Sequence, residues 1–326
     1  MNPLRPILDR FKGKRIVVFG DLVADIFVYG EISRISREAP VLILNHRETQ
    51  IVPGGGANAI HNLWGLGAKP LPVGLVGDDA EGRQLIKYFS NLGIDVSGIS
   101  VAKSYRTPSK MRILAGAVHS QRQQIVRLDS GNPLQDDKVR NAVVRKLKNA
   151  MRGADALLIS DYGYGLASPE VVSKVRKNSI PATIDSRFSM GSFSNMTAAT
   201  PNEPEVEAAL GMSIGNDTRK LETAGRALLR KLKHDALLIT RGKDGMALFE
   251  RGKKTAHIPI HGSNEIADVT GAGDTVIATF TLALAAGAAY YDAARLANYA
   301  GGIVVMKYGT RPVMHEELAK VVEEDR

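Results

Sequence analysis

The sequence contains no cysteine, which excludes a disulfide framework and any thiolate metal site and fits a reducing compartment. No leader is expected either, because the first thirty residues carry Arg5, Asp9, Arg10, Lys12, Lys14 and Arg15 and no apolar stretch of signal-peptide length. No run is long and apolar enough to span a bilayer; the best candidate, Val276 to Ala289, is too short and too rich in Ala and Thr. Internal repeats, low-complexity tracts and proline-rich linkers are absent, and no nucleic-acid module with base-stacking aromatics appears. These absences lead us to expect a cytoplasmic protein with no membrane or nucleic-acid partner. We expect residues 1–326 to form a single domain, a length that allows a sizeable core.

Three nucleotide-binding patterns are also missing. There is no Gly-x-x-x-x-Gly-Lys-Ser/Thr, so the P-loop is excluded. The first strand ends in Gly20-Asp21-Leu22-Val23-Ala24-Asp25, which is not the Gly-x-Gly-x-x-Gly turn of a dinucleotide dehydrogenase. The protein-kinase motif set does not occur either.

What is present begins with charge. Lys and Arg number 43 against 34 Asp and Glu, a formal balance of +9 that favours anionic ligands without choosing among them. The densest basic cluster, Arg140 to Lys148, has helical spacing and reads as a solvated helix face or a binding patch.

Apolar runs of strand length alternate with helical patterns. Strands are expected at Arg15 to Gly20, Leu71 to Val76, Ala156 to Ser160, Ala182 to Asp185 and Ala236 to Thr240, with helices at Gly82 to Leu92, Pro169 to Lys177 and Thr218 to Leu232. Continuous apolar strands separated by helices indicate an α/β fold with a doubly wound, mainly parallel sheet. Two regions, about 32–52 and 109–129, break this rhythm and read as alternating strand pairs: Val41 to Leu44 with Gln50 to Val52, and Lys110 to Leu114 with Gln124 to Leu128. They form a small β-sheet lid able to cover the carboxyl edge of the main sheet, or a hairpin excursion with no role.

The segment Asp268-Val-Thr-Gly-Ala-Gly-Asp274 opens an apolar helix pattern. Gly271, Ala272 and Gly273 leave backbone N–H groups uncovered at a helix start, where developing negative charge is favoured. Asp274 then reads as a base that accepts the proton of an attacking hydroxyl, or as an ordinary helix-start acid behind a tight turn. Gly54, Gly55 and Gly56 precede Asn58 and allow close backbone approach to a ligand; with Asp25, Asn58 suits a polyol, while the glycines alone suit a flexible turn. In Thr200-Pro-Asn202-Glu203-Pro-Glu205 the side chains of Asn202 and Glu205 suit orienting water on Mg²⁺, and equally suit a plain helix start. Thr240-Arg-Gly242-Lys-Asp-Gly245 is a nucleotide-contacting loop or an ordinary turn. The seven histidines form no pair at metal-ligand spacing, and Trp64 and the other aromatics read as core.

Taken in this order, the clusters resemble the ribokinase-like (PfkB) carbohydrate kinases from Val17 to about Pro312. The resemblance implies ATP and Mg²⁺, Asp274 as catalytic base, and Gly271, Ala272 and Gly273 as anion hole. It implies Asp25, Gly55, Gly56 and Asn58 at the sugar, Asn202 and Glu205 at Mg²⁺ and phosphate, with Glu205 acting through water, and Thr240, Gly242, Gly245 and Asn298 on the nucleotide side. Loops around Asp268, Thr270 and Gly309 resemble a monovalent-cation (K⁺) site found in part of the family.

Within the family, Gly20-Asp21, Ser33 to Pro40, Gln124 to Asp129, Ser160-Asp-Tyr-Gly163, Asp268 to Thr279 and Leu296 to Val305 are similar to the bacterial D-glycero-β-D-manno-heptose 7-phosphate kinases, which implies phosphorylation at O1. Two departures bear on the substrate: Tyr164 stands where those enzymes tend to have Lys, and Asp185-Ser186-Arg187 where they have Asp-Pro-Lys. Arg34, Arg37, Lys110, Arg112 and Arg187 are candidates to hold a substrate phosphate. Bifunctional relatives add a nucleotidyltransferase domain with His-x-Gly-His, a motif this sequence lacks, so activity is expected to stop at phosphorylation. A kinase for another sugar or a nucleoside, and a non-catalytic sensor on the same fold, stand as alternatives. A homodimer through exposed lid edges is expected.

Overall fold

The structure, a computed structural model, describes residues 2–116, 122–176, 179–262 and 268–325. Its strands are β1 (Arg15–Ile35), β2 (Leu42–Gly55), β3 (Lys69–Gly77), β4 (Ile99–Ala102), β5 (Ser109–Gly116), β6 (Gln123–Ser130), β7 (Ala156–Asp161), β8 (Ala182–Ser186), β9 (Ala198–Ala199), β10 (Ala236–Thr240), β11 (Met246–Glu250) and β12 (Ala256–Ile258). The helices are α1 (Arg5–Asp9), α2 (Gly56–Gly65), α3 (Ala80–Asn91), α4 (Asp137–Ala150), α5 (Pro169–Val175), α6 (Glu203–Leu210), α7 (Thr218–Leu232), α8 (Ala272–Ala285), α9 (Tyr290–Val304) and α10 (His315–Glu324).

The main sheet runs β4-β3-β1-β7-β8-β9-β10-β11-β12. Pairings from β4 to β10 are parallel, and β11 and β12 close the edge antiparallel. Successive side chains of a strand point to opposite faces, and the apolar residues follow that rule into two cores. Ile16, Val18, Ala156, Leu158, Ala236 and Leu238 pack with α1, α2, α3, α8, α9 and α10. Val17, Phe19, Leu157, Ile159, Leu237 and Ile239 pack with α4, α5, α6 and α7 on the other face. The doubly wound α/β arrangement expected from the sequence is therefore what forms.

One helix explains the apolar run weighed above as a membrane segment. From Asp274 to Leu284 every residue of α8 is buried, and the helix lies between α9 and α2. No helix among the described residues is long and apolar enough to cross a membrane.

The lid differs from its sequence expectation. β1 does not stop at Gly20: it pairs with β7 as far as Gly20 and with β3 as far as Asp21, leaves the main sheet, and continues to Ile35 between β2 and β5. β2 is one strand where two short ones were expected, and β5 pairs in turn with β6. The smaller sheet thus has the order β2-β1-β5-β6, with the extension of a core strand at its centre. The expected end of α5, Lys177, and His119 lie outside the described residues.

Candidate active site

Parallel strands of an open α/β sheet present their carboxyl ends along one edge, and ligands bind in the crevice there. At this edge the strand ends deliver polar residues in succession: Asp21 and Asp25 on β1, Asp161 and Tyr162 from β7, Asp185 and Arg187 from β8, Asn202 and Glu205 after β9, and Thr240 from β10.

Asp274 sits in the first turn of α8, only 4% exposed. Gly271 is the N-cap, with φ 80° and no side-chain cap. First-turn N–H groups have no acceptor within a helix, and the dipole adds positive potential at that end. A Cβ placed on Gly273 would meet nothing within 4 Å, so this turn opens on free space. The N–H of Ala272 is already donated to the Val269 carbonyl at 3.2 Å; of the three amides expected to form an anion hole, this one is engaged.

The Asp274 carboxylate accepts two side-chain hydrogen bonds, from Asn58 Nδ2 at 3.1 Å and from the Tyr162 hydroxyl at 2.8 Å. Burial pushes the Asp274 carboxyl up to about 6, while those two bonds and the charge of Lys110 pull it down and Asp25 raises it further. Such a group is ionised at neutral pH yet more basic than an ordinary aspartate, a combination suited to taking a proton. Burial first, then the neighbouring Asp274 charge, drives the Tyr162 phenol well above its usual value, so it remains a donor.

The glycines ahead of α2 fit this pocket tightly. A Cβ on Gly54 would lie 2.6 Å from the Asp25 carboxyl carbon, and one on Gly55, where φ is +54°, would meet Val23 at 2.9 Å and the Tyr162 ring at 3.1 Å. On Gly56 it would meet the Asp21 carbonyl at 2.8 Å. Asp25 is buried and accepts from Arg112 Nη1 at 2.8 Å; burial raises its pKa and Arg112 opposes the rise. Arg112, expected as a candidate to hold a substrate phosphate, is thus paired with Asp25 through one of its nitrogens. Lys110 is the buried cation facing the site, its Nζ 4.3 Å from the centre of the Tyr162 ring. Burial and then Arg187 lower its pKa, while Asp25, Asp274 and Asp129 raise it. Of the three remaining phosphate candidates, Arg187 is exposed just after β8, and Arg34 and Arg37 lie on exposed ground at the far end of β1 and just beyond it.

On the other side of Asp274 two carboxyls share a field. Asp185 is driven well up, by burial first and then by Glu205 and Asp274, with Arg187 opposing; Glu205 is raised by burial and lowered by Asn202 and Arg187. Asn202 and Glu205 form a reciprocal capping box at the start of α6, with Glu205 N donating to Asn202 Oδ1 at 2.9 Å and Asn202 N to Glu205 Oε2 at 3.0 Å. Of the two alternatives that the sequence left open for this segment, the helix start is the one these bonds form.

The nucleotide-side candidates form a contiguous rim. Thr240 N donates to the Pro201 carbonyl and pairs with Asn202. Gly242 is open, whereas a Cβ on Gly245 would lie 2.1 Å from the Ile258 carbonyl, and Asn298 Nδ2 donates to the adjoining Pro259 carbonyl at 2.8 Å. Asp268 ties two loops together by accepting from Thr270 N at 2.8 Å and Gly309 N at 3.1 Å. Beside them the buried Thr310 hydroxyl has no partner among the described residues.

Tyr162, Asn62 and Asp21 also stand in this site, with no motif of the sequence that assigns them a role. Tyr162 follows a buried strand directly, and position at a carboxyl strand end was the available signal. Asp21 is buried, accepts from Tyr162 N at 2.8 Å and Tyr164 N at 3.1 Å, and is pushed up to about 7, by burial above all.

The same architecture occurs in solved kinases. Arabidopsis thaliana ribokinase complexed with ribose and ATP superposes with a TM-score of 0.73 at 21% identity, covering 96% of this chain and 99% of that one. Escherichia coli phosphofructokinase-2 in complex with potassium gives 0.79 at 17% identity over the same shares. The fold is thus ribokinase-like. The family model of the pfkB family carbohydrate kinases matches residues 14–317, and the chain belongs to that family. Among curated relatives, bifunctional protein HldE of Geobacter sulfurreducens is 40% identical over 309 residues, 93% of this chain and 61% of the relative. That of Mesorhizobium japonicum is 36% identical over 324 residues, 97% and 64% respectively. The chain spans less than two thirds of the length of these relatives.

Proposed function

We propose that this pfkB-family sugar kinase phosphorylates O1 of D-glycero-β-D-manno-heptose 7-phosphate, with Asp274 as the base. The observation that carries the reading is the buried Asp274 carboxylate at an uncapped, glycine-opened helix start, hydrogen-bonded by Asn58 and Tyr162. As the sugar hydroxyl attacks the γ-phosphorus of ATP, its O–H bond breaks with the proton going to Asp274, a sugar O–P bond forms, and the bond to the β-phosphate breaks with ADP as leaving group, while Asp25 and Asn58 orient the neighbouring hydroxyls. The first-turn amides of α8, Gly273 foremost, face developing negative charge. Lys110 and Arg187 repel each other across the cleft, and a substrate phosphate seated between them relieves that repulsion.

MgATP supplies the phosphoryl group. The acidic Asp185 and Glu205 pair, each driven up by burial, fits a divalent cation held through water. Asn202, Thr240, Gly242, Gly245 and Asn298 make the nucleotide rim, and the orphaned Thr310 hydroxyl beside Asp268, Thr270 and Gly309 offers the oxygen donor that K⁺ takes. We also propose a cytoplasmic protein folded as one domain that dimerises through its lid.

The test is ATP turnover with Mg²⁺, followed by phosphorus NMR of the product, on heptose 7-phosphate, the unphosphorylated heptose, other sugar phosphates and nucleosides. Phosphorylation at O1 of heptose 7-phosphate with Asp274→Asn slower by about 10²–10⁴-fold is the expected result. Faster turnover of a nucleoside or neutral sugar would overturn the substrate, and near-normal turnover by Asp274→Asn would overturn the base.

A further inference from the structure

Asn62 lies on α2 one turn beyond Asn58, fully buried, and no role for it follows from the site as described so far. Its contacts define the direction of its amide without reference to how amide atoms are conventionally assigned. Val313 N–H can only donate, and it reaches Asn62 Oδ1 at 3.1 Å; the Asn58 main-chain carbonyl can only accept, and Asn62 Nδ2 reaches it at 2.9 Å. One end of the Asn62 amide is therefore oxygen and the other nitrogen. The Thr275 hydroxyl, 3.1 Å from Oδ1, agrees with that orientation.

The same Nδ2 also reaches Asn58 Oδ1 at 3.1 Å, which turns the oxygen of the second amide towards Asn62. The Asn58 NH₂ is left facing two acceptors, Asp274 Oδ2 at 3.1 Å and the Gly271 carbonyl at 3.2 Å. A backbone N–H at position 313 thus sets the sense of two side-chain amides in series, and the last of them meets the base.

We infer that Asn62 is a positioning residue, which aims the Asn58 amide so that its NH₂, and not its oxygen, meets the Asp274 carboxylate. Asp274 and the Gly271 carbonyl hold the NH₂ end of the buried Asn58 amide, and Asn62 Nδ2 is the donor that meets its oxygen, so without Asn62 that oxygen is left unpaired and the amide is held from one end alone. Half a turn of its amide would bring oxygen against carboxylate and replace an attraction with a repulsion. The inference rests on Asp274 acting as base. Tyr162, Lys110, Asp25 and Asp185 also face Asp274, from β7, β5, β1 and β8, so the experiment must isolate what passes through Asn58.

The measurement is the acid limb of the kcat/KM profile for the sugar in Asn62→Leu, in Asn58→Ala and in the double variant. Loss of a hydrogen bond to a charged group corresponds to about one pH unit. In Asn62→Leu the limb is expected to rise by that amount, with activity near pH 6 falling about five- to tenfold and the loss shrinking at pH 8. In the Asn58→Ala background, Asn62→Leu should add nothing. Asn62→Ala carries the same test where leucine does not fold. A uniform loss at every pH, or an Asn62 effect that persists without Asn58, would mean that Asn62 only packs α2 against α8 and would overturn the inference. Asp274→Asn stands apart as a control: if its turnover survives, the base assignment has failed, whereas collapsed turnover with an unmoved limb in Asn62→Leu refutes the relay alone.

Discussion

Tyr162 differs from Asn58 in what its removal isolates. Tyr162→Phe takes away one hydroxyl and keeps the ring over which Lys110 lies, so the cation–π contact survives. The lost bond is one that lowers the Asp274 pKa, so the carboxyl should climb above its present value near 6 and the acid limb of the rate profile should move up by about one pH unit. An unmoved limb would show that the phenol does not donate to the ionised base. The sequence carried part of this pocket openly. Asp274, Gly271, Gly273 and Asn58 stand in short glycine-flanked segments whose chemistry reads locally, and the structure gathers them. Tyr162, Asn62 and the pairing of Arg112 with Asp25 depend on partners between 87 and 251 residues away, and no local pattern announces such a partner.

Elements whose apolar pattern is complete within the segment were legible, as α7 at Thr218–Leu232 and β10 at Ala236–Thr240 illustrate. β1 was not, because Gly20-Asp21 reads as a turn signal. In the fold Gly20 marks a close approach: a Cβ there would lie 1.9 Å from the Ser160 carbonyl on β7, and the strand runs on into the lid. That lid supports the proposed dimer. β6 is exposed along nearly its whole length, with Ile125, Val126 and Leu128 uncovered, and Ile35, Val41 and Leu42 are exposed at the end of β1, just before β2 and at its first residue. Unpaired edges bearing apolar side chains tend to be covered by another strand or surface. Ile35→Glu combined with Leu128→Glu should convert a dimer into a monomer in sedimentation equilibrium while leaving the thermal midpoint of the monomer unit intact. A wild-type chain that sediments as a monomer would remove the proposal.

For the molecule as a whole, grouping so many carboxyls at one sheet edge gives folding an unusual dependence on pH. Asp21 and Asp274 are raised from 3.8 to about 7 and about 6, and a carboxyl raised by folding lends stability at low pH that is lost as pH rises through the folded value. His61 and His234 are lowered from 6.5 to about 4, chiefly by burial, and lend stability above 6.5 that is lost as pH falls through the lower value. The two sets oppose each other between pH 4 and 7, so the absolute melting curve conceals both, and a difference measurement is needed. Asp21→Asn supplies one. Its amide oxygen can keep the bonds from Tyr162 N and Tyr164 N, and its NH₂ replaces Oδ1, an atom already without a partner among the described residues. Any cost of burying that NH₂ is the same at every pH, whereas the cost of ionising Asp21, on the order of 2–4 kcal/mol, is borne by the parent only as pH rises. The melting temperature of the variant minus that of the parent should therefore increase by several degrees from pH 5 to pH 8. A constant difference across that range would mean that Asp21 ionises as easily in the fold as in the open chain, and the buried-carboxyl account of this edge would have to be given up.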